Sequence, residues 1–580
     1  MRWILPDIDP DRVRELSATL RIRALTARVL LNRGITDAEA ALRYLRPSLD
    51  HLYDPFLLAG MHDAVARLQT AIANREKILI YGDYDVDGTI SVVILKKAIE
   101  LAGGQADFHV PHRLKDGYGM RTEVIEEAAR RGVNLIISVD TGIRALEVVR
   151  AARELGIDVV VTDHHLPEAE LPPALAVLNP NRPGCAYPEK NLCGAGVAFK
   201  LVQALLGTLD WTAEKRNRML RSFLKLVAIA TVADVVPLTG ENRVIVKHGL
   251  DGLDRVNNPG LRALLDVAGL GPGKRPTAEE VAFRVAPRIN AAGRMAHAAN
   301  VIHMFLTDSL DQARSFAQEL HDLNHERQQT EAEMVRTVLE ICVTTPVTGG
   351  DAALVFSGAN WHRGVVGIVA SRLVDRFCRP VFVLGEEDGQ AQGSGRSISA
   401  FHLLDALESM PDLFTRFGGH RQAAGLSMSA DRVPEFRDRF NAYAAARLTA
   451  DDFVPQISID AVLELQELDE TGIAELLSLA PFGFGNPTPL LAATGAESGG
   501  PPAPIKEKHL RVHLRQNGRR LVANAWNFAA RAAEVAAGNR IDVAFSVEED
   551  SFALSQGWPG WSLTLKDVRA AAISTPCAAG

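Results

Sequence analysis

Cysteine is scarce in this chain. Five of 580 residues are Cys185, Cys193, Cys342, Cys378 and Cys577, odd in number, far apart and with no Cys-x-x-Cys pair. That excludes a disulfide framework and a cysteine-built zinc site, and a reducing cytoplasm is the expected setting. A long hydrophobic run is also missing. The longest apolar stretch, Leu226 to Leu238, is interrupted by Asp234 and is too short to span a bilayer. The start, Met1-Arg-Trp-Ile-Leu-Pro-Asp, lacks a basic region followed by an apolar core, so no signal peptide is expected. There is no excess of positive charge. The net charge of −8 argues against a general nucleic-acid coat while leaving room for a local basic groove. No internal repeat is read.

What is present is an ordinary globular composition, 47% apolar and 23% charged, in a chain too long for one hydrophobic core. Two to four domains are expected. Three stretches stand out: Lys77-Ile-Leu-Ile-Tyr-Gly-Asp-Tyr-Asp-Val-Asp-Gly88, Asn134-Leu-Ile-Ile-Ser-Val-Asp140 and Asp158-Val-Val-Val-Thr-Asp-His-His165. Each is an apolar run that ends abruptly in acid or imidazole. Such runs read as buried parallel strands, and ligands collect beyond the carboxyl ends of strands in open α/β sheets. Five Asp and two His are therefore expected to converge on one sheet edge as a metal site.

Strands and helices alternate from about residue 55 to 310: strands at Lys77–Tyr81, Ala106–Val110, Leu135–Val139 and Val159–Thr162, helices at Ile90–Ala102, Thr122–Arg131 and Ile143–Leu155. That rhythm predicts a parallel, doubly wound sheet. An unbroken helical pattern from Leu310 to Cys342 predicts a helix joining two domains. A second α/β unit follows, with strands at Ala353–Phe356 and Val381–Leu384. Five short strands then predict a small barrel of the OB type: Ile457–Ile459, His509–Leu514, Arg520–Asn524, Asp542–Val547 and Trp561–Lys566.

Asp83, Asp85 and Asp87 alternate, so in an extended strand end they share one face and repel one another unless a cation compensates them. The alternatives are a calcium-style loop or a solvated turn. Asp140 is a ligand or a helix cap. In Asp163-His164-His165 the adjacent imidazoles point apart, so one can bind metal while the other faces substrate; a satisfied core histidine is the alternative for either alone. Asp234, beside an apolar helical stretch, needs a cation or a hydrogen-bond donor. Two hard cations sharing a carboxylate suit phosphoester hydrolysis, and carboxylates with one or two His suit Mn²⁺ or Mg²⁺.

Asp83–Gly88 followed by Asp163-His164-His165 resembles the DHH phosphoesterase superfamily. Further motifs narrow the resemblance to its bacterial single-strand-specific 5′→3′ DNA exonucleases: Pro287-Arg-Ile-Asn-Ala-Ala-Gly-Arg294, Trp361-His-Arg-Gly-Val-Val-Gly-Ile-Val-Ala-Ser-Arg-Leu373, Gly393-Ser-Gly-Arg-Ser397, Arg416-Phe-Gly-Gly-His-Arg-Gln-Ala-Ala-Gly425 and Pro481-Phe-Gly-Phe-Gly-Asn-Pro-Thr-Pro489. The resemblance implies an N-terminal extension (1–50), a parallel-sheet DHH catalytic domain (51–310), a linker helix (311–343), a smaller α/β DHH-associated domain (344–448), an OB-fold β-barrel (452–573) and a tail (574–580). It implies two divalent ions, Mn²⁺ or Mg²⁺, held by Asp83, Asp85, Asp87, Asp140, His164 and Asp234, with Asp140 bridging. Asp140, His164 and His165 would be catalytic, His165 beside the phosphate. In related pyrophosphatases and small-nucleotide phosphodiesterases a His stands four residues before the cluster; here Tyr81 holds that position relative to Asp85, and Asp83 is expected to substitute.

Substrate contacts are expected from two glycine-rich loops, Gly393–Ser397 with Ser394 and Arg396, and Gly418-Gly419-His420. Arg288 and Arg294, near Asn290, can clamp a phosphate, and Arg113 is a candidate for the terminal 5′-phosphate. Arg363 joins this set. In the barrel a basic strip includes Lys508 and Arg511, with Trp526 near, which suits a single strand whose bases stack on aromatics. Turn chemistry and solvated faces are the alternatives. The leading reading is a metal-dependent 5′→3′ exonuclease that converts single-stranded DNA to nucleoside 5′-monophosphates in recombination and repair. Such an enzyme would be a cytoplasmic monomer, with single-strand-binding protein as partner and no membrane association. A phosphodiesterase for short oligonucleotides or cyclic dinucleotides, and a non-catalytic DNA-binding scaffold, are the other readings.

Overall fold

Runs rich in aliphatic and β-branched residues become the strands Ile78–Tyr81, Leu135–Val139 and Asp158–Thr162, buried almost throughout as a helix-covered parallel sheet requires. The structure, a computed structural model, describes residues 1–113, 115–550, 553, 554 and 557–571. The tail expected at 574–580 lies outside the described residues. The chain divides into two units, one of Tyr53–Val236 with His248–Pro455, the other of Met1–Leu52, Pro237–Lys247 and Gln456–Gly580.

In the first unit, five parallel strands are ordered Ala106–His109, Ile78–Tyr81, Leu135–Val139, Asp158–Thr162 and Ala176–Leu178. Ile78–Tyr81 has its successor in sequence on one side and Leu135–Val139 on the other. The strand order therefore reverses between those two strands, which opens a crevice beyond their carboxyl ends. The helix after the first strand spans Val86–Leu101 and starts four residues earlier than the sequence pattern predicts. Asp85 caps it, accepting the Gly88 N–H at 3.0 Å. Capping therefore wins over strand continuation. The three acids do not alternate along an extended strand end: Asp83 lies in the connecting loop, Asp85 at the cap and Asp87 in the first helical turn.

The long helix spans Leu310–Thr344, burying Ala313, Ala317 and Leu320 in its first half and Met334 and Val338 in its second. The last two pack with Leu354, Phe356 and Val369 of the following α/β element. Its sheet is ordered Arg416–Gly419, Ala423–Ser429, Gln390–Arg396, Val381–Glu387 and Leu354–Ala359, with the last pair parallel. Both glycine-rich segments expected as loops thus lie in antiparallel strands, Gly393–Arg396 in one and Gly418 and Gly419 in another. The glycines answer to close packing: a Cβ at Gly393 would sit 2.0 Å from the Val383 carbonyl oxygen.

In the second unit seven strands are ordered Ala461–Val462, Leu490–Ser498, Arg540–Glu549, Trp561–Ala570, Arg519–Ala525, His509–Gln516 and Ala503–Ile505. Leu490–Ser498 also pairs with His509–Gln516 through Glu497↔Arg515 and Ser498↔Leu514, so the sheet curls back on itself. The strand expected at Ile457–Ile459 is Gln456–Ser458, and its partner is Arg2–Ile4 instead of this sheet. Residues 1–50 contribute helices at Pro10–Leu20, Ala24–Asn32 and Ala38–Leu45, whose Leu16, Leu25, Val29 and Leu30 share one core with Leu491, Val543 and Phe545.

Candidate metal centre

The acidic residues gather at the crevice where the strand order reverses. Asp83 and Asp87 follow the first strand and are buried; Asp140 follows the neighbouring strand and is equally buried. Asp140 adopts a left-handed backbone, φ 59°, which an aspartate tolerates better than most side chains. Its amide donates to the Thr162 carbonyl at 2.9 Å, tying the turn to the strand Asp158–Thr162. Gly194, at the start of the helix Gly194–Gly207, leaves the space the carboxylate needs: a Cβ there would lie 2.6 Å from Asp140 Cβ and Oδ1. The same helix start anchors Asp87, whose oxygens accept the Gly194 and Ala195 N–H groups at 2.5 and 2.7 Å. Asp234 caps the helix Ala213–Ala233.

His164 Nε2 lies 3.3 Å from Asp140 Oδ1, 3.8 Å from Asp234 Oδ2 and 3.9 Å from Asp87 Oδ2. Donor atoms of Asp83, Asp85 and Asp140 fall within 4.8 Å of one another, as do those of Asp87, His164 and Asp234, and those of Asp140, His164 and His165. Burial raises the carboxyl pKa of Asp83 and Asp140 well above the ordinary value, and their carboxylate neighbours raise it further. Asp85 shifts the same way, and Asp234 is pushed up to about 9. Burial also depresses His164, keeping a neutral imidazole lone pair.

Three oxygens decide whether a cation fits. Asp83 Oδ1, Asp140 Oδ1 and Asp234 Oδ2 are buried and have no hydrogen-bond donor among the described residues. Acceptors deprived of water and donor are costly unless they are protonated or meet a cation. An oxygen-rich set with one or two imidazoles and no thiolate matches Mn²⁺ or Mg²⁺.

Asp163 departs from the expectation that five aspartates share the metal site. Fully buried, it accepts the backbone N–H groups of Ile143, His164 and His165, and His165 Nδ1 lies 2.8 Å from its Oδ1. Its carboxylate is spent on orienting the two histidines. Burial lowers the basicity of His165, but the hydrogen bond and charge of Asp163 outweigh it and leave its pKa above the ordinary value. With Nδ1 facing a carboxylate, Nε2 is the nitrogen free to meet substrate.

Tyr118 was not among the residues expected from sequence. Its hydroxyl donates to the Asp140 carbonyl at 3.2 Å and lies 3.2 Å from His165 Nδ1. The available signal was its place between Gly117 and Gly119, both with positive φ, in the segment that carries Arg113.

The basic residues divide. The Arg113 guanidinium sits 4.9 Å from the centre of the Tyr84 ring. Burial holds Arg294 down to about 10, and Arg113, Arg327 and Arg396 add repulsion. Burial likewise depresses Arg396, again with Arg113 contributing. Arg113, Arg294 and Arg396 thus share one positive region that also feels Asp85. Arg396 donates to Ser394 Oγ at 2.6 Å, and Arg294 to the Gly364 carbonyl at 2.8 Å. Asn290 Oδ1 accepts the Val86 N–H at 3.3 Å, which braces the acidic loop. Arg288 turns instead to His321 on the long helix, 3.1 Å away. Arg363 pairs with Glu387 at 2.9 Å, and His420 is exposed. In the other unit Lys508 and Arg511 are exposed, and Arg511 lines a groove of about 950 Å³ with Arg520, Trp526, Trp558 and Trp561.

The sequence matches the DHH family, N-terminal domain, over residues 77–231, the DHHA1 domain over 350–446 and the RecJ OB domain over 459–557. It is 39% identical to the Bacillus subtilis (strain 168) single-stranded-DNA-specific exonuclease RecJ over 94% of this chain and 68% of that one. It is 40% identical to the Dickeya dadantii (strain 3937) protein of the same name, over 80% and 82%. The fold matches the crystal structure of RecJ in complex with Mn²⁺ from Thermus thermophilus with TM-score 0.81 and 33% identity, covering 98% of this chain and 79% of that one. Among the described residues no helix is long and apolar enough to cross a membrane.

Proposed function

The chain belongs to the DHH family and, within it, to the RecJ single-stranded-DNA-specific exonucleases, and from that membership we propose that it hydrolyses single-stranded DNA from the 5′ end to nucleoside 5′-monophosphates. The observation that carries the reading is the set of three buried oxygens without a donor among the described residues, Asp140 and Asp234 beside His164 and Asp83 beside Asp85 and Asp140. Asp83, Asp85 and Asp140 would hold one divalent ion and Asp87, His164 and Asp234 a second, with Asp140 shared. When bound, two such ions polarise a phosphoryl oxygen and lower the pKa of water.

The chain's own residues supply position and charge. His165, aligned by Asp163, presents Nε2 to a phosphoryl oxygen, and the Tyr118 hydroxyl adds a second contact at the same Nδ1 that meets Asp163. Asp140 and His164 act at the reacting centre as ligands. Arg113, Arg294, Ser394 and Arg396 receive the terminal 5′-phosphate, since the Arg294 and Arg396 guanidiniums, held below their usual basicity by burial, gain from an anion. Asn290 keeps the acidic loop in place. Arg288, Arg363, His420, Lys508 and Arg511 meet the remaining phosphates of the strand. This reading divides the chain into an N-terminal extension (1–50), a DHH domain (51–310), a linker helix (311–343), an associated domain (344–448) and an OB domain (452–573), and the matched segments 77–231, 350–446 and 459–557 fall inside the second, fourth and fifth of these. The same reading carries recombination and repair as the process, single-strand-binding protein as partner, a monomer as the working unit and the cytoplasm as its place.

The test is a 5′-phosphorylated single strand labelled at its 3′ end, incubated with Mn²⁺ and either wild-type protein or Asp140→Ala. Shortening from the 5′ end by the wild type, with none by the variant and none on blunt duplex, supports the reading. Intact long strands with hydrolysed dinucleotides would replace it with the short-oligonucleotide phosphodiesterase, and binding without cleavage would leave a scaffold.

A further inference from the structure

The helix Ala213–Ala233 ends at Asp234, and the next residue, Val235, has φ 57°. A β-branched residue in the left-handed region crowds its own Cβ against the following carbonyl, and glycine is the usual occupant of this position after a helix. Internal packing does not explain the valine, because it is 60% exposed. Leu166, bonded to His165, is 63% exposed, and Tyr118, whose hydroxyl is 3.2 Å from His165 Nδ1, is 52% exposed. Val235 is bonded to Asp234, whose Oδ2 is 3.8 Å from His164 Nε2. Three large apolar surfaces therefore border one acidic well. Leu166 and Val235 are each one residue, about 3.8 Å of Cα spacing, from a side chain of the well, and the Tyr118 hydroxyl meets His165 directly. The phosphate is charged, and the parts of a nucleotide on either side of it that an aliphatic group can cover are the base and the deoxyribose.

We propose that Val235, with Leu166 and the Tyr118 ring, forms a binding rim for the base next to the scissile phosphate, and that Val235 keeps its strained backbone for this contact. The inference rests on the exonuclease reading and deepens it. An apolar rim reads no hydrogen-bonding edge, so it accepts every base alike.

The test compares wild type, Val235→Gly and Val235→Asn, both substitutions being compatible with a left-handed residue. Each is assayed with Mn²⁺ on three 5′-phosphorylated single strands: one complete, one with a base-free tetrahydrofuran residue at the first position, one with it at the second. Both variants should melt at or above the wild-type temperature. Each should raise KM on the complete strand by about three- to tenfold, the loss of one aliphatic contact. On whichever strand lacks the contacted base, the substitution should change KM less than about twofold, because the contact is already gone. An equal KM change on all three strands, or none on the complete strand, overturns the rim. Failure of the wild type to shorten any strand would instead overturn the exonuclease reading, so the two failures are distinguishable.

Discussion

Asp234 is raised to about 9 from its ordinary 3.8, first by burial and then by Asp87 and Asp85. The folded state then keeps a proton that the unfolded chain has released, so stability from this group is complete below the unfolded value and lost as pH climbs through the folded one. Metal-free protein should therefore melt at progressively lower temperature between about pH 4 and pH 9, and Mn²⁺ should raise the melting temperature most at the upper end. Thermal melts in chelator and in Mn²⁺ across that range check this; a flat chelator profile would contradict it. A second residue-scale prediction concerns Gly194. The Cβ of Gly194→Ala would press within 2.6 Å of the Asp140 carboxylate, so activity should drop by roughly 10- to 100-fold, as for a displaced ligand, with Mn²⁺ affinity falling in parallel in a titration. Asp83, Asp87, Asp140 and His164 were legible in the sequence because a buried apolar strand ending in acid has few other uses. Gly194 and Tyr118 were not. Gly194 acts by leaving space for a residue 54 positions away, and no local pattern records an absence of atoms.

At the level of elements, parallel strands and their helices follow from unbroken apolar runs and 3.6-residue periodicity, and both survive into the structure with small shifts at their ends. The acidic loop and the glycine-rich segments did not follow. Asp83, Asp85 and Asp87 read as alternating along a strand end, with a calcium-style loop or a solvated turn as the alternatives, whereas the accepted Gly88 N–H places Asp85 at a helix cap. In Gln390–Arg396 the glycines answer to neighbouring strands and not to a turn: at Gly395 a Cβ would lie 2.5 Å from the Phe382 ring. Gly393→Ala should consequently destabilise the protein by about 1–3 kcal/mol, the usual range for forced overpacking. Gly418, with nothing within 4 Å of its virtual Cβ, provides the comparison, and Gly418→Ala should change stability far less. Denaturant unfolding of the two variants beside wild type measures the difference, and equal midpoints would show that the close approach at Gly393 relaxes freely.

For the molecule as a whole, the division of the chain departs most from sequence order. The unit that contains the RecJ OB match also takes in residues 1–52 and 237–247. Residues 1–50 read only as an N-terminal extension of short helices and loops; their packing partners are more than 400 residues away, and no spacing within 1–50 points to them. The attachment is extensive. Arg2–Ile4 pairs with Gln456–Ser458, Trp3 Nε1 donates to Asp567 at 2.8 Å, and Arg33 donates to the Pro487 carbonyl at 2.7 Å. Leu25, Val29 and Leu30 are buried in the same core as Leu491, Val543 and Phe545. Exposing one such aliphatic side chain costs roughly 1.5–3 kcal/mol, and a domain's whole stability is about 5–15 kcal/mol. Losing several of them should unfold the unit. A chain lacking residues 1–52 should therefore lose hydrogen-exchange protection across Leu490–Ser498 and Arg540–Glu549. The strands Ile78–Tyr81 and Leu135–Val139, whose contacts lie in the other unit, should keep theirs. All candidate ligands belong to that other unit, so Mn²⁺-dependent hydrolysis of a simple phosphodiester should persist while digestion of long strands falls. Full protection of Arg540–Glu549 in the shortened chain would show that residues 456–571 hold their fold without the N-terminal helices.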